Sequence, residues 1–486
     1  MSLPLNRWSS GLSAVQAVVS VLLLMLSLTV QAQNQLPDMG EPADNALSPL
    51  EERAIGAQLM RSIRAQLPLV RDVQSEEYIQ ALGSRLALAS GKTNGQAYTF
   101  FIINEDTINA FAIPGGYIGV NVGLIDAMQF EDQLASVVAH EVAHVTQRHH
   151  ARTFATGRSA SLSAAAAVLA AILIGQASPE AGQAALAAGI AATQQSAINF
   201  TRTNEIEADR IGIEILANAG FNPHAMAETF AIMQRKNRLN TSGAQIEYLR
   251  THPLDNNRIA EAKDRAQSSN ARGYQPQIDF ELFSARLGVL TTRDSAQLLR
   301  AHQAKFKRQR NAGSAYAIAL LNFQANRLNS ADSALQELDK IAPGHPMAAI
   351  LKAEILEARG QSTKSRDALQ DLLELYPNKY SIVEKLVEHL IRVRRHTDAM
   401  DVALYYLRNA DNPSPRAWRQ LANIQQRLGN QAGSHESLAR YYEGFDELGR
   451  AVGQLELALR HVAPGSKDDL RLRASLKALQ GGGSRR

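Results

Sequence analysis

Hydrophobic positions fall at helical spacing along most of this chain, and a short stretch between Tyr98 and Val120 departs from it. Ser48-Pro49-Leu50-Glu51 combines a capping box with proline at the first helical position, which predicts a helix running to about Gln66. A second helix is expected from Ser75 to Leu88. Tyr98-Thr99-Phe100-Phe101-Ile102-Ile103 is rich in aromatic and β-branched residues and reads as a strand. Asn109 to Ile113 and Tyr117 to Val120 read as two more, joined by the turn signal Pro114-Gly115-Gly116. A helix is expected to follow the small sheet directly, with Glu131 and Asp132 in its first turn and Leu134, Val137, Val138 and Val142 on its apolar face. Thr203 to Arg210 opens another helix, continued by Ile211, Ile213, Ile215 and Leu216.

From about residue 311 the pattern repeats. Ala331, Ser365, Ala399 and Gly433 are small residues 34 apart; Pro343 and Pro377 keep the same interval, and Pro413 comes two residues late. Each unit reads as two short amphipathic helices with a small residue at their crossing, the pattern of tetratricopeptide repeats, whose stacking presents a concave surface to a partner. Between 151 and 200 alanine dominates. The stretch 159–195 reads either as an αα-hairpin packed through small residues or as a mobile lid or peripheral membrane contact; the first is favoured because alanine-rich faces bury well and bind lipid poorly. The expected organisation is a signal peptide at 1–32, a flexible leader at 33–47, a catalytic domain at 48–290, repeats at 291–480 and a disordered tail at 481–486.

Composition narrows the function. With 51 basic against 47 acidic residues and no basic block interleaved with aromatics, nucleic acid is not an expected partner. One charge, Arg7, precedes an apolar run from about Leu12 to Val30 and a small-residue cleavage site, which predicts export. The chain has no cysteine, so disulfides, thiolate metal sites and cysteine catalysis are excluded.

The candidate chemistry lies in His140-Glu141-Val142-Ala143-His144. Two histidines four apart share one helix face and can grip one zinc ion, with Glu141 placed to act on a water as general base. Three places for a further ligand can be weighed. Glu180, the only acid between His144 and Glu205, lies in a turn. His150 falls where some zinc proteases put a third histidine, but the helix-breaking glycine they need is Gln147 here, so the helix is expected to run on and point His150 elsewhere. Glu205, on a separate helix, is the remaining candidate and completes a site with an open position. Asp209 shares its face and can orient a ligand histidine.

Asn109 to Gly116, His140 to His144 and Glu205 to Asp209 resemble, in order and spacing, the zinc endopeptidases that include HtpX and the CAAX prenyl protease. With a signal peptide in front and repeats behind, the chain is similar to the exported, repeat-bearing branch of that family. The resemblance implies a mainly α fold with a small β-sheet: a zincin-like metallopeptidase domain followed by an all-α tetratricopeptide-repeat solenoid. It implies one zinc ion on His140, His144 and Glu205, Glu141 as base, Asp209 behind the ligands, and Asn109, Ala110, Phe111 and Ala112 beside the substrate. It implies that His252, in Thr251-His252-Pro253, can fill the open metal position and that Arg286 lines the same site. Lacking cysteine, the contact between repeats and peptidase must rest on packing. The implied setting is the periplasm, with stalled or unfolded outer-membrane proteins as substrates and the outer-membrane assembly machinery held by the repeats. The rival is a chaperone or adaptor whose repeats do the main work while the peptidase stays mostly closed.

Overall fold

The computed structural model describes residues 47–92, 97–156, 194–239, 246–267 and 277–481. The expected signal peptide, nearly all of the leader and of the alanine-rich stretch, and the last five residues lie outside them.

Helix α1 (Pro49–Gln66) starts as its sequence requires: the Ser48 hydroxyl accepts from Glu51 N–H, and Glu51 Oε2 accepts from Ser48 N–H at 2.9 Å. Helix α2 (Val73–Ala89) is capped by Asp72. Strands β1 (Thr99–Ile103), β2 (Ala110–Ile113) and β3 (Tyr117–Asn121) form a three-stranded sheet in the order β1-β3-β2, parallel between β1 and β3 and antiparallel between β2 and β3. Both faces are covered, so alternate side chains enter two different cores. Phe101, Ile103, Phe111, Ile113 and Tyr117 meet Ile55, Leu59, Met60 and Ile63 of α1. Phe100, Ile102, Ala110, Ala112, Ile118 and Val120 face the main core. Gly119 sits where a Cβ would come within 2.8 Å of the Phe101 ring, so only glycine lets the aromatic face close over β3.

A six-residue helix, α3 (Val122–Ala127), stands between the sheet and α4 (Glu131–Thr146), where the pattern put α4 directly after β3. Then come α5 (His149–Thr156), α6 (Gln194–Asn218), α7 (Ala225–Leu239), α8 (Glu247–Thr251) and α9 (Asn256–Gln267). Helix α6 begins well before the expected Thr203, so its acidic stretch lies in mid-helix rather than in a first turn. Helices α4 and α6 cross closely: a Cβ on Gly212 would approach the His140 backbone at 3.3 Å.

Helices α10 (Ile278–Thr291) and α11 (Ser295–Arg308) lead into pairs α12 (Ala312–Gln324)/α13 (Leu328–Ile341), α14 (Pro346–Ala358)/α15 (Ser362–Leu375), α16 (Tyr380–Arg392)/α17 (His396–Asn409), α18 (Pro415–Arg427)/α19 (Gln431–Glu443) and α20 (Leu448–Leu459)/α21 (Lys467–Gln480). Ala331, Ser365 and Ala399, buried in the first turn of α13, α15 and α17, mark the helix crossings. Each of the first four pairs turns through one left-handed residue, Asn326, Gly360, Arg394 and Gly429, whose successor donates its N–H to a carbonyl five residues back.

The solenoid touches the N-terminal domain from its first helix pair to the turn after its fourth. Arg286 on α10 forms a two-pronged pair with Asp72 and donates to Tyr316, Arg416 on α18 grips Glu76, and Ser381 bonds Glu77. Farther along, Arg64 donates to the Phe445 carbonyl at 2.6 Å, and Tyr117 donates to Asp446. Packing alone was expected to hold this contact; charge pairs share the work. No helix among the described residues is long and apolar enough to cross a membrane.

Candidate metal centre

Helix α4 is buried from Glu131 to Val145, its polar residues included. His140 and His144, one turn apart, bring their Nε2 atoms within 2.9 Å of each other. Glu205 of α6 lies opposite, with Oε2 3.4 Å from His140 Nε2 and Oε1 3.4 Å from His144 Nε2. His252, which ends α8, closes the group: its Nδ1 is 3.0 Å from Glu205 Oε1 and 3.3 Å from His140 Nε2. One ligand atom from each of these four buried residues falls within 4.8 Å of the others. A cation about 2.0–2.1 Å from four such atoms would set them roughly 3.3 Å apart, close to the spacings found. The donor set of imidazoles and one carboxylate, drawn together with so few protons to share, fits a divalent ion.

Charge agrees. Glu205 and Asp209 stand against one guanidinium, Arg258, so a carboxylate remains for the imidazoles beside them. Burial opposes a charge on His140, yet Asp209 and Glu205 push its imidazole up to about 10. Burial likewise opposes the Glu205 carboxylate, but His252, His140 and His144 outweigh it and hold the carboxyl well below its usual range. Glu141 Oε1 is buried without a hydrogen-bond partner and lies 3.5 Å from His252 Nε2.

Asp209 lies 3.0 Å from His140 Nδ1, a short contact that is not well aligned, and is held by two hydrogen bonds from Arg258 at 2.7 and 2.8 Å. Arg258 had no distinguishing mark in the sequence: it is one basic residue on the polar helix α9. Tyr248 stacks on His252 with ring centres 4.6 Å apart, and its N–H bonds the Ile108 carbonyl, tying the histidine-bearing turn to the start of β2. Asn109 lies just before β2, and Ala110, Phe111 and Ala112 form it; β2 is an edge strand packed beside α4. The small Ala110 and Ala112 face that helix and let it approach. Arg286, suggested for the site by resemblance, makes its hydrogen bonds to Asp72 and Tyr316 at the repeat contact.

One expectation is overturned. The helix does not run on through His150. It ends at Thr146, and Arg148 takes a left-handed conformation at φ 52° before α5 begins. The break needs no glycine because Arg148 is anchored by the Leu47 carbonyl at 2.6 Å and by Glu52. It turns His149 back against His144, while His150 stands outside the group of four.

Residues 73–266 match the model of peptidase family M48. The chain is 34% identical to the beta-barrel assembly-enhancing protease of Escherichia coli (strain K12) over 452 residues, covering 92% of this chain and 91% of that one. It is 34% identical over 409 residues to the putative beta-barrel assembly-enhancing protease of Vibrio cholerae, covering 82% and 84%. The mitochondrial metalloendopeptidase OMA1 of Schizosaccharomyces pombe is 30% identical over 187 residues, 38% of this chain and 52% of its own. A solved tetratricopeptide repeat protein from Parabacteroides merdae aligns with TM-score 0.29 and 13% identity over 59% of this chain and 96% of its own, too slight a likeness to carry an argument.

Proposed function

The chain belongs to peptidase family M48, with the beta-barrel assembly-enhancing proteases, and is a metalloendopeptidase; from that premise we propose that it is an exported, periplasmic zinc enzyme that cleaves stalled or unfolded outer-membrane proteins. His140, His144 and Glu205 hold the zinc, and Asp209 with Arg258 behind it fixes the His140 ring. When bound, the ion supplies Lewis-acid polarisation of the scissile carbonyl and acidifies the attacking water. Glu141 accepts the proton of that water and delivers it to the leaving amide nitrogen. The outer edge of β2, Asn109 to Ala112, pairs with the extended substrate through backbone hydrogen bonds, which selects an unfolded strand over a particular sequence. His252 takes the fourth position in the resting enzyme and yields it to substrate. The repeats hold clients or the outer-membrane assembly machinery on their concave face.

The observation that carries this reading is the convergence of His140, His144, Glu205 and His252 beside a buried Glu141 oxygen that makes no hydrogen bond. Metal analysis and cleavage of an unfolded outer-membrane protein test it. Glu141→Gln is expected to keep one zinc and lose cleavage by about 10²–10⁴-fold, and Glu205→Ala to lose the zinc. Metal loss in His150→Ala with metal kept in Glu205→Ala would refute the ligand set. His252 seated among the ligands also favours a second reading, in which the repeats act as chaperone or adaptor while the peptidase stays closed. Full rescue of cells lacking the protein by Glu141→Gln would establish that reading instead.

A further inference from the structure

Each metal-facing imidazole needs its far nitrogen held, because a neutral histidine that presents Nε2 to a cation must carry its proton on Nδ1. For His140 the group beside that nitrogen is a carboxylate, Asp209, 3.0 Å away. For His144 it is a third histidine. His149 Nδ1 lies 2.9 Å from His144 Nδ1, with the rings edge to face at 80° and their centres 4.8 Å apart. His149 is buried, and its other nitrogen, Nε2, is 3.2 Å from Glu207 Oε2. Arg152, one turn further along α5, donates to the same oxygen at 2.8 Å.

These contacts allow one assignment of protons. Two Nδ1 atoms 2.9 Å apart can share only one hydrogen. If His144 binds through Nε2, that hydrogen belongs to His144, so His149 accepts at Nδ1 and carries its own proton on Nε2, where Glu207 accepts it. Arg152, donating to the same carboxylate oxygen at 2.8 Å, holds Glu207 in place. The chain therefore runs Arg152, Glu207, His149, His144, each member fixing the position or tautomer of the next.

We propose that His149 is a positioning residue for the metal centre, held in its accepting tautomer by Glu207 and Arg152. The proposal rests on the reading of His144 as a ligand. It gives the glutamate between Glu205 and Asp209 a function, although it points away from both around α6. It also explains why Arg148 adopts a strained backbone: on an unbroken helix His149 would lie about 140° round from His144 and could not reach it.

Zinc titration of the metal-free full-length chain against a chelator indicator, with a melting curve of each metal-free variant, tests the idea. His149→Phe, which removes the acceptor, and Glu207→Ala, at a partly exposed position, should each weaken zinc binding by about 10–100-fold. His149→Gln, whose carbonyl oxygen can accept the same hydrogen bond, should recover most of the loss. Nitrogen-15 spectra of the zinc-loaded protein should show His149 protonated at Nε2. Wild-type affinity in His149→Phe, equal losses in His149→Phe and His149→Gln, or a proton on His149 Nδ1 would each overturn the proposal. Failure of the wild type to bind zinc, or unchanged binding in Glu205→Ala, would instead overturn the ligand assignment beneath it.

Discussion

Arg148 and Arg394 share a backbone conformation unusual for arginine, at φ 52° and 61°, and serve two differently built regions. Arg394 is exposed and ends a repeat helix at a place where neighbouring repeats have Asn326, Gly360 and Gly429. Its turn is a local device, used again about every 34 residues, and the side chain adds nothing to it. Arg148 occurs once. Its guanidinium reaches the Leu47 carbonyl and Glu52, far away in sequence, and the bend it makes carries His149 to His144. The repeats thus reuse a backbone rule, whereas the peptidase half depends on single long-range contacts that nothing nearby can replace.

Charge shows the same contrast. Arg258 is buried among Asp209, Glu205 and the Pro253 carbonyl. Lys340 and Glu337, one turn apart on α13, pair in solvent. Arg258→Met should destabilise the metal-free protein by about 3–5 kcal/mol, because two buried carboxylates would lose the guanidinium that bonds them, while Lys340→Ala should leave stability nearly unchanged. Urea unfolding of both variants checks this, and equal effects would erase the contrast.

A smaller effect is expected where the two regions meet. Burial, reinforced by Glu388, raises the Glu384 carboxyl on α16 to about 7, against the opposing pull of Lys385 and Arg416. The folded chain then holds a proton that the unfolded chain releases near 4.5. Its contribution is therefore complete below that value and is lost as pH rises through about 7, by about 1–2 kcal/mol after allowance for solvent screening. Stability measured at pH 5 and pH 8 should differ less in Glu384→Gln than in wild type; the same difference in both would show that Glu384 is an ordinary surface acid.

The smallest effect returns to the two arginines. Arg394→Gly should stabilise by roughly 0.5–1 kcal/mol, since glycine removes the left-handed strain and no side-chain contact is lost. Arg148→Gly relieves the same strain but forfeits the anchoring bonds, so thermal melting should show no gain. A gain at both sites would mean that the Arg148 contacts are idle.

Much of the fold could be read locally. The Ser48 box starts α1, the three aromatic or β-branched runs are strands, and the small residues 34 apart stand at repeat crossings, because caps, pleats and periods are written in neighbouring side chains. In the site, His140 and His144, four apart on one helix face, were legible for the same reason, and the acidic pair Glu205 and Asp209 lay on a helix as expected. Arg258 and His149 were not. Arg258 acquires its partners only when α9 packs on α6, and His149 only when Arg148 turns left-handed against a rule that would ask for glycine.

The sequence by itself determined the start of α1, the three strands, the repeat period, and the two histidines sharing one face of α4, since each depends on spacing along one element. Only the tertiary structure decided which imidazoles meet, which carboxylates are neutralised, and how the solenoid grips α2 through Asp72 and Glu76. Those outcomes depend on burial: removed from water, a charge or an imidazole nitrogen must find a partner, and its partner can come from anywhere in the chain.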